Sequence, residues 1–104
     1  MEIGGLNMNW IDTTSYFRGD TKREPRIWNF ELSKNIYITV HKYAGCGDAW
    51  FVSAHIGRWR MIDCVDLHTE DAEQAKEKAI QRVKEVIQTM NTELENALNA
   101  LDKA

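Results

Sequence analysis

Residues 60–80, RMIDCVDLHTEDAEQAKEKAI, contain the point at which the chain changes its periodicity. Up to Leu67 the pattern is that of short aromatic strands, and from Glu70 onward it is that of a helix. Thr69 stands at the junction as the expected N-cap. Glu70, Asp71 and Glu73 load the expected first turn with the negative charge that a helix N-terminus favours. Beyond them Ala72, Ala75, Ala79, Val83, Val86, Met90, Leu94, Ala97 and Leu101 step by threes and fours, and Ile80, Ile87 and Leu98 widen the stripe.

This pattern predicts a helix over 69–103. At ~1.5 Å per residue it would span roughly 50 Å, well beyond the ~30 Å diameter of so small a domain. Two outcomes fit that surplus. Thr92-Glu93-Leu94-Glu95 matches a capping box, which would bend or restart the helix near Asn91. Alternatively Met90, Leu94, Leu98 and Leu101 protrude and bury themselves on a second copy or another partner. The favoured expectation is a continuous or gently bent helix with a role in association.

Upstream, residues 26–67 read as four strands joined by turns. Ile27 to Ser33 alternates, with Trp28, Phe30 and Leu32 on one face and Asn29 and Glu31 on the other. Ser33-Lys34-Asn35 has turn chemistry. Ile36 to Tyr43 follows, with Ile36, Ile38 and Val40 opposite Tyr37, Thr39, His41 and Tyr43. After the glycine-rich loop Ala44-Gly45-Cys46-Gly47-Asp48, the stretch Ala49 to Ile56 sets Trp50, Val52, Ala54 and Ile56 against Phe51, Ser53 and His55. Gly57-Arg58 suits a tight turn with glycine first. Trp59 to Leu67 is a fourth strand of imperfect alternation; strict parity would put Asp63 in the core, so a bulge or an early exit is expected there.

Parity joins these hairpins. Leu32 against Ile36, Phe30 against Ile38 and Trp28 against Val40 continue into Val40 against Val52 and Ile38 against Ala54, all on the face the helix stripe covers. The reverse face then carries Tyr37, Thr39, His41, Tyr43, Phe51, His55, Arg58 and Arg60. Residues 1–25 are an N-terminal segment in which Leu6, Met8 and Trp10 alternate like a short half-buried strand, followed by a polar loop from Thr13 to Pro25. That segment either folds over the reverse face to make a second small core, or leaves it as a binding surface. The expected fold is therefore α+β: a four-stranded antiparallel β-meander, open to an extra N-terminal strand, packed on one long C-terminal α-helix in a single domain of 104 residues.

Composition narrows the function classes. With 13 basic and 16 acidic residues the formal net charge is −3, too little positive charge for a duplex-DNA binder working by bulk electrostatics. No apolar run reaches the length of a membrane span, and MEIGGLNMNW lacks a basic n-region and an apolar h-region, so no membrane partner and a cytoplasmic location are expected. Cys46 and Cys64 then read as reduced thiols. Arg18-Gly19-Asp20 matches a tripeptide used by integrin ligands, but three residues recur by chance and nothing marks the chain for export.

No metal or cofactor is expected. His41, His55, His68, Cys46 and Cys64 fall in no zinc-ligand spacing. Cys46 with His41 is the one nucleophile–base pairing the spacing allows, and a cysteine in a glycine loop is the simpler reading, so no catalytic residue is assigned. Tyr37, Tyr43 and Phe51 with Arg58 and Arg60 form the ingredients of a base-stacking platform, which makes single-stranded nucleic acid the alternative partner.

The aromatic meander followed by a helix opening Glu70-Asp71-Ala72-Glu73-Gln74-Ala75-Lys76 resembles, from Ile27 to Lys84 and in layout, small accessory proteins of phages and other mobile elements, including anti-CRISPR-like inhibitors. The resemblance implies a non-enzymatic protein that binds a host defence complex by steric occlusion, nucleic-acid mimicry or forced dimerisation. It assigns no residue a role. The expectation is a protein-binding module using the reverse sheet face, with homodimerisation through the distal helix.

Overall fold

The computed structural model describes residues 10–16, 24–43, 45 and 47–104. Among the described residues five strands, β1 (Ile11–Asp12), β2 (Ile27–Ser33), β3 (Ile36–Lys42), β4 (Trp50–Ile56) and β5 (Trp59–Asp66), precede α1 (Ala72–Asp102). The sheet is antiparallel throughout and its spatial order equals its chain order. The fold is α+β, as the change of periodicity predicts.

The central register follows parity. Trp28 faces Val40 and Phe30 faces Ile38. Val40 then faces Val52, and Ile38 faces Ala54. These residues, with Trp50, Ile62 and Leu67, form the sheet's half of the core; Ala75, Ala79 and Val83 form the helix's half. The small side chains of Ala75 and Ala79 let α1 lie close on β3 and β4. Trp28 joins from the flank, its ring covered by the Lys76 ammonium at 3.8 Å, while its indole N–H is buried without an acceptor among the described residues.

Several expectations are corrected. Leu32 does not face Ile36 in the core: a register shift between Glu31 and Ser33 sets Ser33 against Ile36 and leaves Leu32 exposed. The cap is Asp71, not Thr69. Trp50 donates its backbone N–H to the Thr69 carbonyl (3.0 Å) and its indole N–H to the Glu70 carbonyl (3.1 Å), which ties both residues to the sheet edge. Thr69 Oγ1 then accepts from Asp71 N–H, and Asp71 Oδ2 accepts from Gln74 N–H at 3.0 Å. Glu70 and Asp71 therefore precede the helix, and Glu73 is the acidic residue of its first turn.

The extra strand exists as the two residues of β1, paired with Asn29 and Trp28, and Asp12 holds its end by accepting from Thr14 N–H at 3.0 Å. Trp10 turns its ring edge-on to Phe30 on the helix side of the sheet, so it joins the main core and not a second one on the reverse face. Leu6, Met8, Arg18-Gly19-Asp20, Ala44 and Cys46 lie outside the described residues. No break occurs near Asn91. Thr92 sits inside a continuous helix, its hydroxyl donating to the Gln88 carbonyl at 3.2 Å, a back-bond available only in an unbroken turn.

Three substitutions test these assignments by urea unfolding. Ala79→Leu should lose about 1–3 kcal/mol by forcing the helix off the sheet. Asp71→Ala should lose about 0.5–2 kcal/mol as a true cap does. Thr92→Ala should lose nothing and gain up to about 0.7 kcal/mol, because threonine there is a helix-interior residue and not a cap.

Candidate functional site

The reverse face of the sheet is built in cross-strand rows by the same register that builds the core. Ile27, His41, Phe51 and Asp66 form one row, Asn29, Thr39 and Ser53 the next, and Glu31, Tyr37, His55 and Arg60 the third. Each row is held by its own chemistry. In the third, the Tyr37 and His55 rings stack at 4.8 Å and 14°. Arg60 donates from Nε to His55 Nε2 (3.3 Å) and from Nη1 to Asp63 Oδ1 (2.9 Å). Since His55 Nε2 accepts, Nδ1 is its donor, and that atom is buried with no partner among the described residues. In the middle row Thr39 donates to Asn29 Oδ1 at 2.6 Å, and Asn29 Nδ2 donates to Thr13 at 3.1 Å.

The first row opens into an aromatic cluster. Tyr43 meets His41 and Phe51 edge-on, at 5.1 Å from each, while His41 lies roughly parallel to Phe51. Behind them Ser53 is buried. Its hydroxyl sits 3.1 Å from His41 Nε2, accepts the Cys64 backbone N–H at 3.1 Å, and reaches Cys64 Sγ at 3.5 Å. Tyr43 Oη contacts the same sulfur. Burial lowers the His41 pKa below its ordinary 6.5; a backbone hydrogen bond at Lys42 opposes this and the Arg60 charge adds to it. The hydrogen bond to Cys64 raises the Tyr43 hydroxyl, and the Arg60 hydrogen bond lowers the Asp63 carboxyl.

Parity set Ser53 on the reverse face beside Thr39, as the register bears out, but Cys64 was not placed there, and the reason is local. Between Arg60 and Asp66 the strand gains two extra residues: Ala54 faces Ile62, yet Val52 faces Val65, so Ser53 has both Asp63 and Cys64 opposite it. The bulge anticipated at Asp63 is therefore real. It places Cys64 at φ 51° and swings its thiol to the reverse face. The misfit of Asp63 to strict parity was the available signal.

Of the eight expected reverse-face residues, Tyr37, Thr39, His41, Tyr43, Phe51, His55 and Arg60 come together, with Tyr37 and Tyr43 37% and 41% exposed. Arg58 does not join them: it is exposed in the β4–β5 turn and pairs with no described residue. Comparison with protein-family models, curated proteins and solved structures finds no match to this chain. The geometry therefore carries the functional reading.

A second surface lies along the helix. Residues 72–102 extend about 46 Å, whereas the strands beneath span roughly 23–27 Å. Met90 is half-buried at the sheet's edge, and every residue from Asn91 onward is exposed. Leu94, Leu98 and Leu101 stand 60%, 61% and 69% exposed. Beside them is Trp59, 54% exposed, which opposes Ile56 after the Gly57–Arg58 turn and so stands on the helix side of the sheet. Trp59, Met90, Glu93, Leu94 and Ala97 line a groove of ≈ 390 Å³. Trp59 was missed because it sits at the strand's first position, where parity matters but coverage cannot be read.

His41 gives this face a measurable pH signature. Its imidazole binds a proton less readily folded than unfolded, so the stability it supports is full above about pH 6.5 and is lost as pH falls through the depressed folded value. The Asp12 and Asp63 carboxyls, lowered below 3.8, lose theirs only at more acidic pH. The urea midpoint should begin to fall as pH drops below about 6.5, and His41→Asn should flatten that step while keeping the acid limb.

Proposed function

We infer that the protein is a non-enzymatic protein-binding module that engages its partner through exposed aromatic and apolar surfaces. The observation that carries this reading is the run of Leu94, Leu98 and Leu101, each more than half exposed on a helix that has passed the end of its sheet. A soluble helix keeps such a stripe when something covers it. The reverse face supplies the second contact: Tyr37 and Arg60 are residue types enriched where proteins meet, and the stack on His55 and the hydrogen bonds hold them in one conformation beforehand.

The polar cluster supports binding better than catalysis. His41 and Ser53 stand as a base and a hydroxyl would, yet the hydroxyl is buried and already engaged by the Cys64 N–H. Catalysis by Cys46 with His41 is not part of the reading. A cytoplasmic inhibitor of a host defence complex, as the resemblance to phage accessory proteins implies, would need these two surfaces alone: one to occlude, one to associate. The Tyr37–His55 stack also favours a second reading, a platform for single-stranded nucleic acid.

Immobilised protein should capture a specific partner from host extract, and Tyr37→Ala with Arg60→Ala should reduce the capture at least tenfold, as loss of interface anchors does. Oligonucleotides titrated at low salt should not bind. Salt-sensitive binding abolished by the same double substitution would replace this reading with the nucleic-acid one.

A further inference from the structure

The distal helix carries both halves of a self-complementary contact. Val83, Ile87, Met90, Leu94, Ala97 and Leu101 alternate by fours and threes, the 3.5-residue repeat of a coiled-coil seam. The first two pack on the sheet, and from Met90 the same seam continues with no sheet beneath it. Its proximal part, with Trp59, is the groove described above. Its distal part ends in Leu101, with Leu98 beside the seam; both are exposed, and neither lines that groove. A groove and the knobs that fill it, displaced along one helix, are satisfied together by a twofold antiparallel pairing.

We propose that the distal helix is a homodimer interface in which two copies pair antiparallel, each seating Leu101 in the groove formed by Trp59, Met90 and Leu94 of the other. This rests on the association reading of the helix and names its occupant. With Leu94 of one copy beside Leu98 of the other, antiparallel order sets Asp102 at the level of Met90. Met90 shares the groove with Trp59, and in the chain Trp59 follows the exposed Arg58 of the β4–β5 turn, the cation that the reverse face leaves out. Asp102 is the acidic residue that closes α1, and Lys103 follows it as the C-cap, so the attraction to Arg58 is assigned to the Asp102 carboxylate and not to the helix end as a whole. A parallel pairing would instead bring the two Asp102 ends together and set Leu101 beside its own copy, away from the groove. The offset between groove and knob therefore selects the antiparallel arrangement.

The contact is small. Residues 91–102 extend only about 18 Å, which places the interface at the low end of specific contacts, below about 1,200 Å² in total. The dimer should therefore dissociate on dilution, with half association on the order of 10–100 μM.

Sedimentation velocity on the full chain from about 1 to 500 μM, with far-ultraviolet circular dichroism to confirm folding, tests this. Wild type should pass from monomer to dimer over that range. Leu98→Glu with Leu101→Glu should stay monomeric throughout. Arg58→Glu should weaken the dimer about fivefold or more, and adding Asp102→Arg to it should restore association, because each twofold contact is then reversed in sign. A monomer at 500 μM would overturn the homodimer. If that monomer still captures a host partner, and the leucine variant does not, the association reading survives while the second copy is rejected. A dimer that persists in the leucine variant would overturn both. A leucine-dependent dimer indifferent to the charge swap would overturn the antiparallel geometry.

Discussion

The antiparallel ladder between Ile36–Lys42 and Trp50–Ile56 is the constraint on which both surfaces depend. Because successive side chains alternate, pairing Val40 with Val52 also pairs His41 with Phe51 and Tyr37 with His55. A slip of one residue would turn the tyrosine and histidine rings under the helix and push Ile38 and Val40 into water. One register thus specifies the close seat for Ala75 and Ala79 and the aromatic rows on the other side. The core selects the register by burial, and the reverse face inherits its geometry without having to enforce it.

The outer strands depart from that ladder where they are given other tasks. In β5 the extra residues around Met61 and Asp63 leave Ile62 and Val65 facing the helix, while Cys64 is redirected to the reverse face beside Ser53 and Tyr43. At the other end of the ladder Trp50 fixes where the helix begins. Its backbone and indole groups hold the chain from Leu67 to Glu70, and His68, in a left-handed conformation, turns it toward the helix. Asp71 is the first residue free to cap, which is why the cap lies two residues after a perfectly acceptable threonine.

The elements and their pairing were legible because apolar alternation over β3 and β4 is nearly unbroken and the helix stripe changes period at one point. What could not be read were interruptions decided by tertiary contacts. Leu32 looks like a core residue by parity, and the register shift beside the Lys34–Asn35 turn exposes it. Thr92 satisfies a capping pattern, yet a capping box offers alternatives to a helix only where the turn before it ends, and here the turn continues. The seven clustered reverse-face residues followed from parity alone. Arg58 did not, since a turn residue belongs to no face, and Trp59 was hidden by the question of how far the helix reaches.

That reach also decides how the two surfaces relate. The distal leucines continue the side of α1 that packs on the sheet, so whatever covers them lies beyond the edge formed by the Lys34–Asn35 and Gly57–Arg58 turns, which are tied together by Gly57 N–H and the Asn35 carbonyl at 2.6 Å. The aromatic rows open on the opposite side of the same sheet. An occupant of the distal helix therefore leaves Tyr37, Tyr43 and Arg60 free. The proposed association through the helix and the proposed recognition through the sheet would not compete, and a weak helix contact would then have a use: it would double the number of recognition faces, raising avidity for a partner with two matching sites without any new contact to it.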